Sequence, residues 1–308
     1  FFLYLPPLIL LVLFLNKIDK LQKSKINFLK NYTEIYTIFT ESLQKMNSIV
    51  YLKNNNCVVA IEKGEFVSFK QEDVEYIHQK GSKGWGNSDI EMFPVIGPTS
   101  KNKYTIHTKK GDATQDQHGL LRELEYVLVS SDEKTAHFIK EYQKNSKIRN
   151  SKFPKKSTEK DLFWPFNFTF EKKFLLENNT LKIDFIITSN KGMPYMLGYH
   201  PAFLLSNSGK ETLIVNGKKI TLPEIQDAGH NAYPVLNTEK IVLENINKNN
   251  LEISTTGFQN FMLWTQVKNM LCIEPITQYT SYTDQKFSEN NMRLSQGKNN
   301  FSFKIKIL

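Results

Sequence analysis

From Met46 onward the sequence predicts an all-β fold, a large antiparallel β-sandwich, on three observations. Apolar and polar residues alternate over short runs, the period of a strand with one buried face. Asn and Gly interrupt those runs at intervals that suit turns between strands. The 308 residues include 22 Phe and 13 Tyr, bulky side chains that favour a pleated surface over a helix interior.

Residues 1–15 are almost wholly apolar and contain Pro6-Pro7. They are shorter than the roughly 20 residues of a spanning helix. Their length suits the core of a secretory signal, but no basic residue precedes them and no small-residue cleavage site follows. In residues 27–45, Phe28, Tyr32, Ile35, Phe39 and Leu43 keep helical spacing. Residues 1–45 therefore read as an apolar and helical extension with three explanations open: a shortened membrane anchor with its linker, a helical extension packed on the domain, or upstream sequence fused to a protein beginning at Met46. The third is preferred, and residues 46–308 form the expected domain.

Candidate strands follow in order at residues 48–52, 57–61, 65–69 and 74–79. Two more, 124–129 and 137–142, come after a histidine loop whose strand is expected to begin near Arg122. Residues 167–174 and 180–188 form a hairpin around Glu177-Asn178-Asn179. Later candidates are 213–215, 240–243, 251–254, 261–265, 270–273 and 301–307. Residues 144–160 are polar and basic and read as an exposed loop. Many short strands with almost no helix point to a sandwich.

Hydrophobic residues make up 40% of the chain and charged residues 23%, the composition of an ordinary globular protein. The net charge is +9, but the lysines are scattered among Asn rather than gathered in arginine-rich blocks. No nucleic-acid partner is therefore expected. Cys57 and Cys272 both lie in apolar runs, which predicts buried free thiols and a reducing, cytoplasmic setting. No zinc-binding spacing is present, and no metal is expected. A membrane partner enters only if residues 1–45 are an anchor; the chain is otherwise expected to be a monomer or homodimer.

Two polar residues stand out in apolar surroundings. His200 precedes Pro201, which pushes it out of the helical region into extended backbone, and Gly198 nearby allows a close approach. Glu274 lies within Met270-Leu271-Cys272-Ile273-Glu274-Pro275-Ile276 and also precedes a proline. A carboxylate among such neighbours is costly without a partner or a task. One histidine and one glutamate, each held extended, suit acid–base chemistry.

The same residues carry a resemblance. Gly198-Tyr199-His200-Pro201-Ala202-Phe203 resembles the signature of the aldose 1-epimerase (mutarotase) family, and Cys272-Ile273-Glu274-Pro275 its glutamate segment. Phe93-Pro94-Val95-Ile96-Gly97 and His118-Gly119-Leu120-Leu121-Arg122 are similar to two further motifs, all in the family's order and nearest its LacX-like branch. The resemblance implies a supersandwich of two long twisted sheets and interconversion of the α and β anomers of a free aldose. By that resemblance Glu274 is the base at the C1 hydroxyl and His200 the acid at the ring oxygen, His200 being charged, or sharing a proton, while Glu274 is ionised. This chemistry requires no cofactor.

For the substrate, the resemblance implies a contact from His118. Arg122 either binds a sugar hydroxyl or acidic group, or pairs with Glu123 or Glu125. The family's sugar-binding arginine is replaced by Pro98, for which Lys101 or Lys103 are candidate substitutes, and Asn231 fits the aspartate position better than Asp227. Trp85, Trp164, Phe203 and Trp264 are either core or sugar platforms, Trp85 being the one least expected to be fully buried. Three rival readings remain. His118, His200 and Glu274 could surround a metal. A carbohydrate-binding sandwich would need no acid–base pair. A hexose-6-phosphate epimerase would need Arg or Lys clustered at the pocket mouth, and Pro98 counts against it.

Overall fold

In the computed structural model the chain divides between Ser48 and Ile49, and residues 49–281, 287 and 291–308 are described. The expected helical run at 27–45 and the proposed boundary at Met46 lie outside those residues. Among the described residues, no helix is long and apolar enough to cross a membrane.

The longest sheet has nine antiparallel strands. Its centre is the hairpin Phe168–Glu177 and Thr180–Ser189, flanked by Lys298–Ile307 on one side and Thr135–Tyr142 on the other. Strict alternation along Phe168–Glu177 sends Phe168, Phe170, Phe174 and Leu176 into the core. A second sheet of six strands runs Tyr233–Leu236, Asn260–Trp264, Met270–Ile276, Gly198–Tyr199, Glu91–Met92, with Ala202–Leu204 also paired to Met270–Ile276. The two sheets face each other across one core: the Tyr199 ring lies 4.9 Å from Phe185 and 5.0 Å from Phe303, centre to centre. This is a large antiparallel β-sandwich built by burying alternate residues of two sheets.

Several expected boundaries move. The strand expected at 74–79 pairs with its meander only at Val74–Glu75. Beyond it the chain crosses to the second sheet, where Ile77 bridges Phe203 and the His78 amide donates to Ala202 O at 2.9 Å. No strand begins near Arg122; Leu120–Glu123 is a 3₁₀ turn, and the next strand is Val127–Ser131. Leu222–Asp227 is a short helix that alternation could not announce. Thr221 and Glu224 cap it reciprocally, with Pro223 in its first turn. Residues 144–160 are also more than an exposed loop: Ile148–Arg149 pairs with Asp161–Leu162, and Asn150 is 1% exposed. Cys57 and Cys272 are free and buried, as their apolar runs predict.

The core contains a buried ionic cluster. Lys172 occupies an inward position of Phe168–Glu177, in phase with the phenylalanines, and is 0% exposed. Its ammonium lies 2.6 Å from Asp89 Oδ2 and 2.7 Å from Glu91 Oε1, and donates to Gly64 O at 3.0 Å. Lys140, on the neighbouring strand, sits 3.9 Å from Glu91 and donates to Leu121 O at 2.9 Å. The Tyr199 hydroxyl donates to Asp89 Oδ2 at 2.6 Å. Tyr199 immediately precedes His200, and Leu121 belongs to the turn after His118, so the cluster is bonded to the segments that carry both histidines.

Candidate active site

His200 and Glu274 are both presented by the six-stranded sheet. Ile90 and His200 exchange backbone hydrogen bonds, His200 N to Ile90 O at 2.9 Å and Ile90 N to His200 O at 3.4 Å. Alternation then turns Tyr199 into the core and His200 outward. Gly198 packs closely: a Cβ there would meet Met92 Cε and lie 3.2 Å from Ile276 Cγ2, so the Met92 side chain would have to shift to admit one. Along Met270–Ile276 the same alternation gives Met270, Cys272 and Glu274 one face and Leu271, Ile273 and Pro275 the other. His200 Nε2 ends 3.4 Å from Glu274 Oε1.

His118 arrives from a tight turn. Its own φ is +75°, and Gly119 follows at +68°. A Cβ on Gly119 would strike Phe93 O, so that position is open only to glycine. The His118 amide donates to Ile96 O at 2.8 Å, locking the turn to the Phe93–Gly97 segment. The His118 ring stands edge-on to His200, with centres 5.5 Å apart. Trp85 stacks on His200 at 4.3 Å, and Trp264 meets it edge-on at 6.1 Å. The Trp85 loop is held by His78 Nε2, 3.0 Å from Trp85 O.

These side chains line a cavity of about 450 Å³, together with Asn231, Gln117, Gln266, Met262 and Lys156. Buried imidazole and carboxyl groups 3.4 Å apart, within a cavity of that size edged by amides and aromatic rings, suit a small polyol.

A family model described as aldose 1-epimerase matches residues 64–257, more than half of the chain. The chain belongs to the aldose 1-epimerase family. It is 23% identical over 164 residues to the chromosomal protein LacX of Lactococcus lactis subsp. lactis. That match covers 50% of each, so the chain spans about half the length of the curated relatives it matches. In structure it is similar to a galactose mutarotase related enzyme from Lactobacillus acidophilus, with 18% identity and a TM-score of 0.67 over 85% of this chain and 97% of that one. A galactose mutarotase-like protein from Lactobacillus casei gives 16% identity and a TM-score of 0.66 over 85% and 100%. At these identities the structures speak for the fold.

Of the residues singled out in the sequence, this cavity brings together His118, His200, Glu274, Asn231 and Trp85. Arg122 lines an adjoining cavity instead, its Nε 3.7 Å from Glu123. Asp227 ends the short helix and is not among the lining residues, nor are Lys101 and Lys103; the cation at the rim is Lys156, from the loop expected to be merely exposed. Trp164 and Phe203 are core, each 0% exposed. Trp264 and Trp85 are half-buried and line the cavity, but one face of Trp85 is occupied by His200. Gln117, Gln266 and Lys156 escape the sequence reading because nothing in their local sequence separates them from surface residues.

Burial decides the protonation of the pair. It pushes the His200 imidazole down to about 3, against a hydrogen bond to its own backbone and helped by the charge of Arg122. It raises the Glu274 carboxyl well above its ordinary value. Against the expectation of an ionised Glu274 facing a charged or proton-sharing His200, desolvation favours the neutral pair. Both forms hold one proton, so the two differ only in which partner carries it. Cys272 Sγ and ligand atoms of His200 and Glu274 all lie within 4.8 Å of one another. The thiol is also held well above its usual value, first by burial and then by Glu274. Binding a metal there would require two protons to leave an apolar wall.

Stability should report where the pair's proton sits. An unfolded glutamate ionises above about 4.3, whereas buried Glu274 keeps its proton well beyond that. In the interval the folded chain holds a proton that the unfolded chain has lost, so stability falls as pH rises, by up to about 1.4 kcal/mol per pH unit. His200 acts in the opposite sense, its contribution being lost as pH falls from the unfolded value of about 6.5 toward about 3. Glu274→Gln removes only the first effect. Urea melts between about pH 5 and pH 7 should therefore show the variant gaining on the wild type as pH rises. A constant difference between variant and wild type across that interval would mean that Glu274 is ionised in the fold.

Proposed function

We propose that this chain is an aldose 1-epimerase in activity as well as family, interconverting the anomers of an aldose by acid–base ring opening. The observation that carries this is the His200–Glu274 pair, 3.4 Å apart in a cavity of about 450 Å³ edged by amides and aromatic rings. A bound polyol supplies hydroxyls that solvate an ionised carboxylate, moving the balance from the neutral pair toward imidazolium and carboxylate. Glu274 then takes the proton of the C1 hydroxyl while the C1–O5 bond opens and His200 protonates the ring oxygen. Rotation about C1–C2 exposes the other aldehyde face. Closure returns both protons and restores the one-proton pair.

His118 and Asn231 are the candidates for holding the sugar over this pair, and Trp85 fixes the His200 ring by stacking. Anomer exchange followed by NMR should be faster than the spontaneous rate for at least one aldose, and should survive EDTA unchanged. Loss of exchange on chelation, restored by Zn²⁺, would move the reading to metal chemistry at His200, Cys272 and Glu274. Sugar binding without exchange would favour a carbohydrate-binding sandwich.

A further inference from the structure

The cavity holding the His200–Glu274 pair adjoins a second one of about 570 Å³, and Trp85, Pro98, Gln117, His118 and Lys156 line both. Arg122, Lys152 and Lys155 line the second cavity only, and its one carboxylate is Asp116. We propose that this annex receives an anionic group, so that the preferred substrates are aldoses bearing a phosphate or carboxylate away from C1; this rests on the acid–base reading of the pair.

The lysines are presented by a built loop. Asn150 donates to Asp116 Oδ2 at 3.0 Å and to Glu159 O at 2.9 Å, and the Lys156 amide donates to Lys152 O at 2.8 Å. The Arg149 guanidinium lies 4.9 Å over the Phe153 ring. The Asn150 contact fastens the loop against the turn that carries His118. Lys152 is paired with Asp116, 3.2 Å from its Oδ1, with a further bond to Gln117 O at 3.1 Å. Arg122 has Glu123 at 3.7 Å, and that carboxylate already accepts from Ser151 Oγ at 2.9 Å. Among the described residues no carboxylate pairs with Lys155 or Lys156. Four cations on one cavity wall repel one another, and an anion relieves that repulsion through charge-assisted hydrogen bonds.

The positive field also reaches the catalytic histidines. His118 is held well below its ordinary value by burial first, then by His200, Arg122 and Lys152; Arg122 depresses His200 as well. An anion in the annex opposes those charges and makes protonated His200 easier to form. Lys156, at the rim shared by both cavities, is placed to follow the substituent from one to the other.

The test compares one aldose in neutral, 6-phosphate and uronic-acid forms by NMR anomer exchange, with orthophosphate as competitor. The anionic form should have a kcat/KM at least about tenfold above the neutral sugar, the worth of one charge-assisted hydrogen bond. That ratio should fall toward one in Lys155→Gln and in Arg122→Gln. Lys155 is exposed, so its variant keeps the fold and keeps the test decisive. Whether phosphate or carboxylate gains more identifies the anion. A neutral sugar turned over as well as both charged forms, or a ratio unchanged in Lys155→Gln, overturns the annex. If no sugar exchanges at all, the acid–base reading has failed. Orthophosphate binding by calorimetry, weakened or not in Lys155→Gln, then still decides the annex.

Discussion

Glu274→Gln should slow anomer exchange by at least about 10²-fold while sugar still binds, because the amide keeps the shape but can neither give nor take the proton. His200→Asn should do the same. The two groups hold one proton between them across 3.4 Å, so removing either stops the same event. The double variant should consequently lose far less than the product of the single losses. The pH profile should be bell-shaped, and its limbs belong to the coupled pair rather than to one residue each. Equilibrium sugar binding, measured separately, distinguishes lost chemistry from a lost site. Near-normal exchange by Glu274→Gln would remove the carboxyl from the mechanism and leave the sugar-binding reading in its place.

Lys172→Met should destabilise the fold by about 3–5 kcal/mol, the cost of leaving buried charge without its partner. Methionine fills similar volume and suits the apolar phase of its strand, so packing alone predicts a small effect. The loss comes from Asp89 and Glu91, 2% and 3% exposed, which would face each other without the ammonium now 2.6 and 2.7 Å away. Asp89 already has its carboxyl raised to about 6, by burial above all and by Glu91 after the opposing effect of Lys172. Without Lys172 it would rise further and take up a proton at higher pH, so the deficit should shrink as pH is lowered toward about 6, where the wild-type carboxyl takes up its own. Adding Asp89→Asn to Lys172→Met should recover part of the stability. Urea melts near neutrality and in mild acid would measure both effects. A deficit independent of pH would point to packing as its source.

The hairpin Phe168–Glu177 and Thr180–Ser189 was legible to within about three residues, because alternation and an Asn-rich turn are local signals. His200 and Glu274 were legible for a related reason: each is a lone ionisable residue in an apolar run, and such placement is costly unless the group is used. Lys172 broadcasts the same signal, a lysine in phase with four core residues, yet its neighbour Lys173 disguises it as one of a polar pair. The 3₁₀ turn at Leu120–Glu123 had no such local mark, and it is what carries Arg122 away from the cavity that His118 enters.

The sequence by itself determined the sandwich, the family and the identity of the two ionisable residues, since alternation, turn residues and motif order are written along the chain. Tertiary structure alone set the burial that shifts the pair toward its neutral form. That depends on how completely two distant strands exclude water from groups whose reference values would otherwise leave the carboxyl ionised. It also decided that Arg122 and the 152–156 loop converge beside the cavity of His200 and Glu274. Scattered lysines read as a solvated surface until folding brings them to one wall, where their charges add.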